Sequence, residues 1–153
     1  MGLNGFIERF YLNGGGIMAY AGYLVKIGNY TLPYKYIKFD SYSVFMSVTD
    51  LDSYRDANGV LHRNALQHRP NKCEFETPAM LDNEQFAELM RNISNQYTVP
   101  SERKATVTLY IPEIDDYVTQ DMYMPDPQPS IYRHNPNTGK LQYNSIRLAF
   151  IGY

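Results

Sequence analysis

The clearest periodic pattern in the chain lies near its middle, where apolar side chains recur at Phe86, Leu89, Met90 and Ile93. Offsets of three, four and seven residues place these side chains on one face of a helix. Asp82 precedes the run and Gln85 follows three residues later, which is the arrangement of a capping box. The pattern therefore predicts a helix over residues 83–97, and Pro100 predicts its stop.

Apolar and polar residues alternate on both sides of this helix, as is typical of half-buried strands. The alternation and the β-forming residues predict strands over residues 23–27, 30–32, 36–39, 42–48, 72–77, 105–111, 117–124, 130–134 and 141–150. Turn-forming residues separate several of them, at residues 56–59, 112–116 and 135–139. Residues 51–71 form a long loop, in which residues 60–63 resume as a strand or an extended arm.

The elements follow the order of several strands, one helix and several strands, with hairpins rather than a strand–helix–strand rhythm. We therefore predict an α+β fold, mostly antiparallel β, built as a β-sandwich or partly closed barrel with one flanking α-helix. A length of 153 residues suits one domain with its own core. We place this single β-rich domain at residues 18–153.

Residues 1–17 form a separate N-terminal stretch. Three glycines at residues 14–16 and an isoleucine immediately precede Met18. Glycine codons can spell the purine-rich ribosome-binding sequence of a bacterial message. Met18 is therefore expected to be the natural start, with residues 1–17 a non-native extension. The alternative is a flexible glycine linker after a short amphipathic segment at residues 6–10. The intact mass of the native protein distinguishes these two interpretations.

Composition narrows the possible classes of protein. Hydrophobic residues make up 44% of the chain and charged residues 20%, which favours a folded domain over disorder. The formal net charge of −2 lacks the basic excess of proteins that bind nucleic acid through its phosphates. The sequence shows neither a membrane-spanning run nor a secretory signal. We expect cytoplasmic synthesis, no membrane partner and no sequence-specific contact with nucleic acid.

Tyrosine dominates the aromatic residues, with 15 Tyr against 7 Phe and no Trp. Its apolar ring and polar tip suit half-buried strands and also subunit interfaces. Composition leaves both interpretations open. The single cysteine, Cys73, cannot form an intrachain disulfide and is expected to be a small buried hydrophobe.

The reactive side chains do not form a recognised metal site. His62 and His68 are spaced unlike zinc ligands, and Cys73 is a poor third ligand without a partner. Residues 50–59 resemble a calcium loop only loosely, because the ligand register fails after Asp50 and Asp52 and no bidentate glutamate follows. Solvated loop histidines and a turn explain these residues.

Catalytic motifs are also lacking. Asp115 and Asp116 are adjacent, and adjacent strand residues point to opposite faces, so a hairpin tip explains them better than a carboxylate pair. The sequence contains no P-loop, nucleophile elbow or dinucleotide fingerprint. We therefore predict no catalytic residues, no cofactor and no metal.

Several motifs resemble a family of small, poorly characterised proteins encoded in the tail modules of siphophages and prophages. They are Met-Ala-Tyr-Ala-Gly-Tyr at residues 18–23, Ile-Gly-Asn-Tyr at 27–30, Asp-Ala-Asn-Gly-Val-Leu-His-Arg at 56–63, Phe-Glu-Thr-Pro at 75–78, Tyr132, and Tyr-Asn-Ser-Ile-Arg-Leu at 143–148. The turn followed by Leu-His-Arg is the most distinctive. The resemblance covers nearly all of residues 18–153. It implies a tail-tube-like, distal-tail or baseplate subunit, located in the virion tail and assembled in the cytoplasm of the bacterial host.

The resemblance also implies partners, namely other copies of the chain in a ring and other phage tail proteins. Two segments are the expected contact elements, residues 54–69 and residues 135–140. The candidate interface residues within them are Tyr54, Arg55, Asn58, His62, Arg63, Asn137 and Lys140. Two alternatives stay open: a ligand- or carbohydrate-binding β-module, which the lack of Trp disfavours, and a small enzyme with an unrecognised site.

Overall fold

In the computed structural model, the described residues are 10–11, 17–46, 53–63 and 70–153. They form one α-helix, α1 (Asn83–Ser94), with short 3₁₀ turns at Tyr34–Tyr36, Phe39–Ser41 and Pro100–Glu102. Their strands are β1 (Phe10–Tyr11), β2 (Ile17–Met18), β3 (Val25–Ile27), β4 (Tyr30–Thr31), β5 (Ser43–Met46), β6 (Tyr54–Arg55), β7 (Leu61–His62), β8 (Asn71–Glu76), β9 (Lys104–Ile111), β10 (Asp116–Tyr123), β11 (Ile131–Asn135), β12 (Lys140–Tyr143) and β13 (Arg147–Gly152).

Seven strands form the main sheet, in the order β4-β3-β9-β10-β13-β8-β5, and all neighbours are antiparallel. β9 and β10 pair along their whole length, from Asp116↔Ile111 to Tyr123↔Lys104. β10 and β13 share only two residue pairs, Met122↔Gly152 and Tyr123↔Ile151. The sheet therefore consists of a four-stranded and a three-stranded half with a narrow junction, which confirms the predicted antiparallel, sandwich-like α+β class.

Both halves of the sheet contribute to one core. The alternating apolar residues of β9 are buried at Ala105, Val107, Leu109 and Ile111. They belong to the same cluster as Cys73 and Phe75 of β8, and Leu148 and Phe150 of β13. The period-two pattern thus sends one side of each strand into a shared interior, where burial stabilises the fold.

Helix α1 covers this core with Phe86, Leu89 and Ile93, which are all buried. The capping box is confirmed, because the Asp82 carboxylate accepts a hydrogen bond from the Gln85 backbone at 2.7 Å and the Gln85 side chain accepts one from the Asp82 backbone at 3.1 Å. The helix ends at Ser94, three residues before the predicted end. The Asn29 backbone N–H donates to the Gln96 side chain at 3.0 Å, which fixes the chain just after the helix.

Two predicted strands are wrong in detail. Residues 36–39 lie between and within two 3₁₀ turns, and Tyr36 and Ile37 are buried as core residues. Residues 141–150 form two strands, because the chain leaves β12 after Tyr143 and enters the main sheet only at Arg147. Between them, the Ile146 backbone N–H donates to the Thr77 hydroxyl at 2.9 Å.

Within the part of the chain that the structure describes, three two-stranded ladders accompany the main sheet: β1–β2, β6–β7 and β11–β12. The expectation that residues 1–17 are an extension falls mostly on residues outside the described ranges and stays a prediction. The same holds for Ser47 and Val48 in the strand predicted at residues 42–48. Within the described ranges, no helix has the length and hydrophobicity needed to cross a membrane.

Candidate functional site

The β6–β7 hairpin is the first candidate contact surface, and residues 53–63 within it are exposed except for the half-buried Asp56. Tyr54 stacks on His62 across the ladder, with ring centroids 4.9 Å apart and an angle of 14° between the ring planes. Tyr54 is 60% exposed, and Val60 and Leu61 are also exposed. The hairpin thus presents apolar and aromatic surface to solvent, as contact surfaces often do.

Asp56 holds the tip of this hairpin in one shape. Its carboxylate accepts hydrogen bonds from the backbone N–H groups of Asn58 and Val60 at 2.9 and 3.0 Å. His62 Nε2 lies 2.9 Å from the other carboxylate oxygen. The His62 bond first, and the Val60 bond second, lower the pKa of Asp56. The tip is therefore organised by local bonds, and Gly59 supplies the positive φ of 81° that its turn needs.

The β11–β12 hairpin is the second candidate surface. Its tip is closed by the Gly139 backbone N–H, which donates to the Asn135 carbonyl at 2.8 Å. Ile131 and Tyr132 are exposed, and the ladder register shifts between Ile131 and Arg133. Unlike β6–β7, this hairpin is tied to the helix, because the Leu141 backbone N–H donates to the Asn83 side chain at 2.9 Å.

The structure places the candidate interface residues in two groups. β6–β7 brings together Tyr54, Arg55, Asn58, His62 and Arg63, all of them exposed. The β11–β12 tip carries Asn137, which is exposed, and Lys140, which is half-buried.

Lys140 is engaged within the chain, since its ammonium lies 2.9 Å from Glu84 and 4.0 Å from Asp82. The Glu84 contact raises the pKa of Lys140. Lys140 therefore has a structural task at the start of α1, whatever else it contacts.

The residues considered for chemistry do not converge. In the described part of the chain, no three His, Cys, Asp or Glu side chains are grouped as a metal site would require. His68, Asp50 and Asp52 lie outside the described residues. Asp115 accepts a hydrogen bond from the Tyr110 hydroxyl at 2.6 Å, whereas Asp116 accepts one from the Tyr117 backbone at 2.8 Å.

Much of the tyrosine content is used inside the domain. Tyr23 and Tyr117 stack with ring centroids 4.7 Å apart, and the Tyr117 hydroxyl donates to the Tyr23 carbonyl at 2.7 Å. Tyr20 contacts Tyr110 edge-on at 5.3 Å and hydrogen-bonds the Tyr34 hydroxyl. These rings attach residues 20–23 to the main sheet, so packing accounts for part of the tyrosine excess.

Sequence reasoning missed a groove beside α1. This helix groove has a volume of about 380 Å³ and is lined by Ala87, Met90, Arg91, Ser94, Tyr97 and Arg103. Met90, predicted to share the apolar helix face, lies half-buried in it. Met90, Arg91 and Ser94 follow Ala87 at offsets of three, four and seven residues, so the sequence could have shown that the helix presents them on one side. Tyr97 and Arg103 join it only through the folded chain.

Comparisons with known proteins address the family and the fold. A family model described as a family of unknown function, DUF6711, matches residues 18–153. No curated protein matches the chain. A chain from a structure described as "Virion of native gene transfer agent (GTA) particle" has 15% identity and a TM-score of 0.51, over 85% of this chain and 89% of its own. A chain from "Tail of empty GTA particle computed with helical refinement, C6 symmetry" has 16% identity and a TM-score of 0.51, over 88% and 95%. At such identities the likeness shows a shared fold.

Proposed function

The chain belongs to the family of unknown function DUF6711, and we propose that it is a structural subunit of a phage-like tail, without catalysis. The observation that carries this proposal is the fold shared, over 88% of the chain, with a chain of a gene transfer agent tail. In this role the chain contacts further copies of itself in a ring and binds other tail proteins in the virion. The C6 symmetry of that gene transfer agent tail makes six copies per ring the first stoichiometry to test.

The proposed contact elements are the β6–β7 and β11–β12 hairpins. Local hydrogen bonds shape both tips, so little conformational entropy remains to be lost when a partner binds. The exposed Tyr54 and Leu61 supply apolar area on one hairpin, and Ile131 and Tyr132 supply it on the other. Aromatic and aliphatic anchors of this kind carry much of the energy of protein interfaces. A tail-tube-like, a distal-tail and a baseplate subunit would all use such elements.

The proposal is tested by assembly and by particle content. We expect the purified chain to form rings under negative-stain microscopy and an oligomer in size-exclusion chromatography with light scattering. We also expect it in purified particles by mass spectrometry. A strict monomer that is absent from particles would contradict the proposal. Glycan-array binding by that monomer would instead favour a carbohydrate-binding module.

A double variant distinguishes a residue's role in subunit contact from a role in folding. Replacing Tyr54 and Leu61 by serine removes exposed apolar surface, so thermal stability should stay within a few degrees while assembly weakens by about tenfold or more. Replacing residues 136–139 by a shorter turn should have the same pattern. If the melting temperature collapses in either variant, that hairpin belongs to the scaffold and is not a contact element.

A further inference from the structure

The helix groove combines an apolar floor with positive charge. Ala87, Met90 and Tyr97 line it together with two arginines, Arg91 and Arg103. Arg91 is exposed and forms no ion pair with any described residue. A site of this composition fits a ligand that carries an apolar side chain next to a carboxylate.

Arg103 adds a second positive charge to the groove. Its Nη2 pairs with the Asp126 carboxylate at 3.0 Å. Its Nη1 is buried and has no hydrogen-bond partner among the described residues. The Arg103 side chain is nevertheless 38% exposed, so its positive charge contributes to the surface of the groove beside Arg91.

The same chain carries a matching feature on the turn between β9 and β10. Ile114 is 50% exposed there, and Glu113 and Asp115 flank it. The turn has a fixed shape, because Asp115 adopts a φ of 48° and its carboxylate accepts the Tyr110 hydroxyl at 2.6 Å. Glu113 is exposed and pairs with no described residue. The turn thus presents an apolar side chain between two carboxylates. This arrangement complements a groove that has an apolar floor and two arginines.

The groove and the turn lie at opposite ends of one strand. Arg103 immediately precedes β9, and the turn follows its last residue, Ile111. An eight-residue strand spans about 26 Å, so a copy cannot fill its own groove. A contact between two different surfaces of identical chains is heterologous, and repeated it generates a ring or a filament.

We propose that the Glu113–Ile114–Asp115 turn of one copy docks in the helix groove of the next. This inference rests on the proposed assembly function and names one of its interfaces. Ile114 would cover the Met90 and Tyr97 surface, and the carboxylates would face Arg91 and Arg103.

Charge reversal tests the pairing. Arg91→Glu and Glu113→Arg should each weaken self-association by about tenfold or more, because each places like charges at the contact. The double variant should recover most of the loss. Lys38→Glu, which makes the same charge change at an exposed residue on another surface, should leave association unchanged. Equal behaviour of Arg91→Glu and Lys38→Glu, or no recovery in the double variant, would overturn the proposal.

Cross-linking tests the contact without a stable oligomer. Ser94→Cys and Ile114→Cys proteins are mixed with a short bismaleimide; the native Cys73 is buried and should not react. A cross-linked dimer should form only in the mixture, and Arg91→Glu should reduce it. If wild-type protein assembles or enters particles but this dimer does not form, the docking inference fails and the tail function stands. If wild-type protein neither assembles nor enters particles, both fail.

Discussion

A single hydroxyl near one margin of the main sheet reaches the opposite half. Tyr42, which precedes β5, donates to the Tyr110 carbonyl of β9 at 2.7 Å, and the Leu24 carbonyl lies 3.3 Å from the same oxygen. β5 and β9 belong to different halves of the sheet. Burial raises the pKa of Tyr42, as expected for a phenol enclosed by the core. The bond therefore links the two halves of the sheet directly.

Tyr42→Phe should lower the free energy of unfolding by about 1 kcal/mol, because it removes one half-buried hydrogen bond and keeps the ring. Tyr54→Phe is the matched control, since the Tyr54 hydroxyl makes no hydrogen bond with any described residue and the side chain is exposed. Urea unfolding followed by circular dichroism measures both. Equal midpoints for the two variants would show that the Tyr42 hydroxyl does not stabilise the closed sheet.

At the scale of the elements, the start of α1 is determined by residues that are neighbours in sequence. Asp82 and Gln85 satisfy each other's backbone N–H groups, as their spacing predicts. The end differs from the prediction, because the Asn95 backbone N–H makes the last helical bond, to the Arg91 carbonyl at 3.0 Å, and the Gln96 N–H bonds the Ile93 carbonyl in a tighter turn. Pro100 sets the latest position at which the helix can end, but it does not determine how many residues before the proline the helix ends.

Asp82→Ala should destabilise the domain by about 1 kcal/mol through loss of the cap. Glu88→Ala, an exposed change in the middle of the same helix, should alter stability by less than about 0.5 kcal/mol. Chemical denaturation of both variants gives the comparison. An Asp82 variant as stable as the Glu88 variant would mean that packing, and not capping, determines where α1 begins.

Strands were predictable where a long alternating run pairs with its neighbour in sequence, as β9 and β10 do. The strand predicted at residues 36–39 does not form, because hydrogen bonds to a distant strand take the place of a strand ladder. The Lys38 backbone N–H donates to the Glu76 carbonyl at 2.8 Å, and the Ser41 hydroxyl accepts from the Glu76 backbone N–H at 2.8 Å. Local β-propensity contains no information about such partners. The division of residues 141–150 has the same origin, since Thr77 and Ile146, which are distant in sequence, hydrogen-bond to each other at the break at 2.9 Å in both directions.

At the scale of the whole molecule, the half-buried Tyr117 makes the stability of the fold depend on alkaline pH. Burial raises the pKa of Tyr117 to about 12 from the ordinary value of 10.0. The folded chain therefore keeps a proton that the unfolded chain loses between those values. The stabilisation is fully present below the unfolded pKa and is lost as the pH rises towards the folded pKa.

We expect the free energy of unfolding to fall between about pH 9 and pH 12, and to fall less steeply in Tyr117→Phe. The variant should be less stable at neutral pH, because the Ala21 N–H and the Tyr23 carbonyl lose their partner at 2.8 and 2.7 Å. Lysine titration is common to both proteins and cancels in the comparison. Equal slopes in urea titrations across this range would contradict the assignment to Tyr117.

The candidate surfaces, like the strands, were predictable from local sequence in some places and not in others. Turn residues at 135–139 predicted one hairpin tip, and those at 56–59 predicted a turn, which the structure places at the tip of β6–β7. Their role in contact stays a prediction. The helix groove was not predictable, because Arg103 meets Met90 and Arg91 only after β9 and α1 have packed. Its proposed occupant, Ile114, could have been noticed as an isolated apolar residue within an acidic turn.

The position of β13 has a consequence for synthesis on the ribosome. β13 lies between β10 and β8, so it is the strand that joins the two halves of the sheet, yet it is translated after every other strand of that sheet. While residues 147–152 remain in the exit tunnel, the nascent chain can form the β9–β10 hairpin and α1 but cannot join β8 to β10. Long-range closure of this kind delays folding. The seven-stranded sheet is therefore completed only after residues 147–152 have left the tunnel, and until then the edges of β8 and β10 that face β13 stay unpaired.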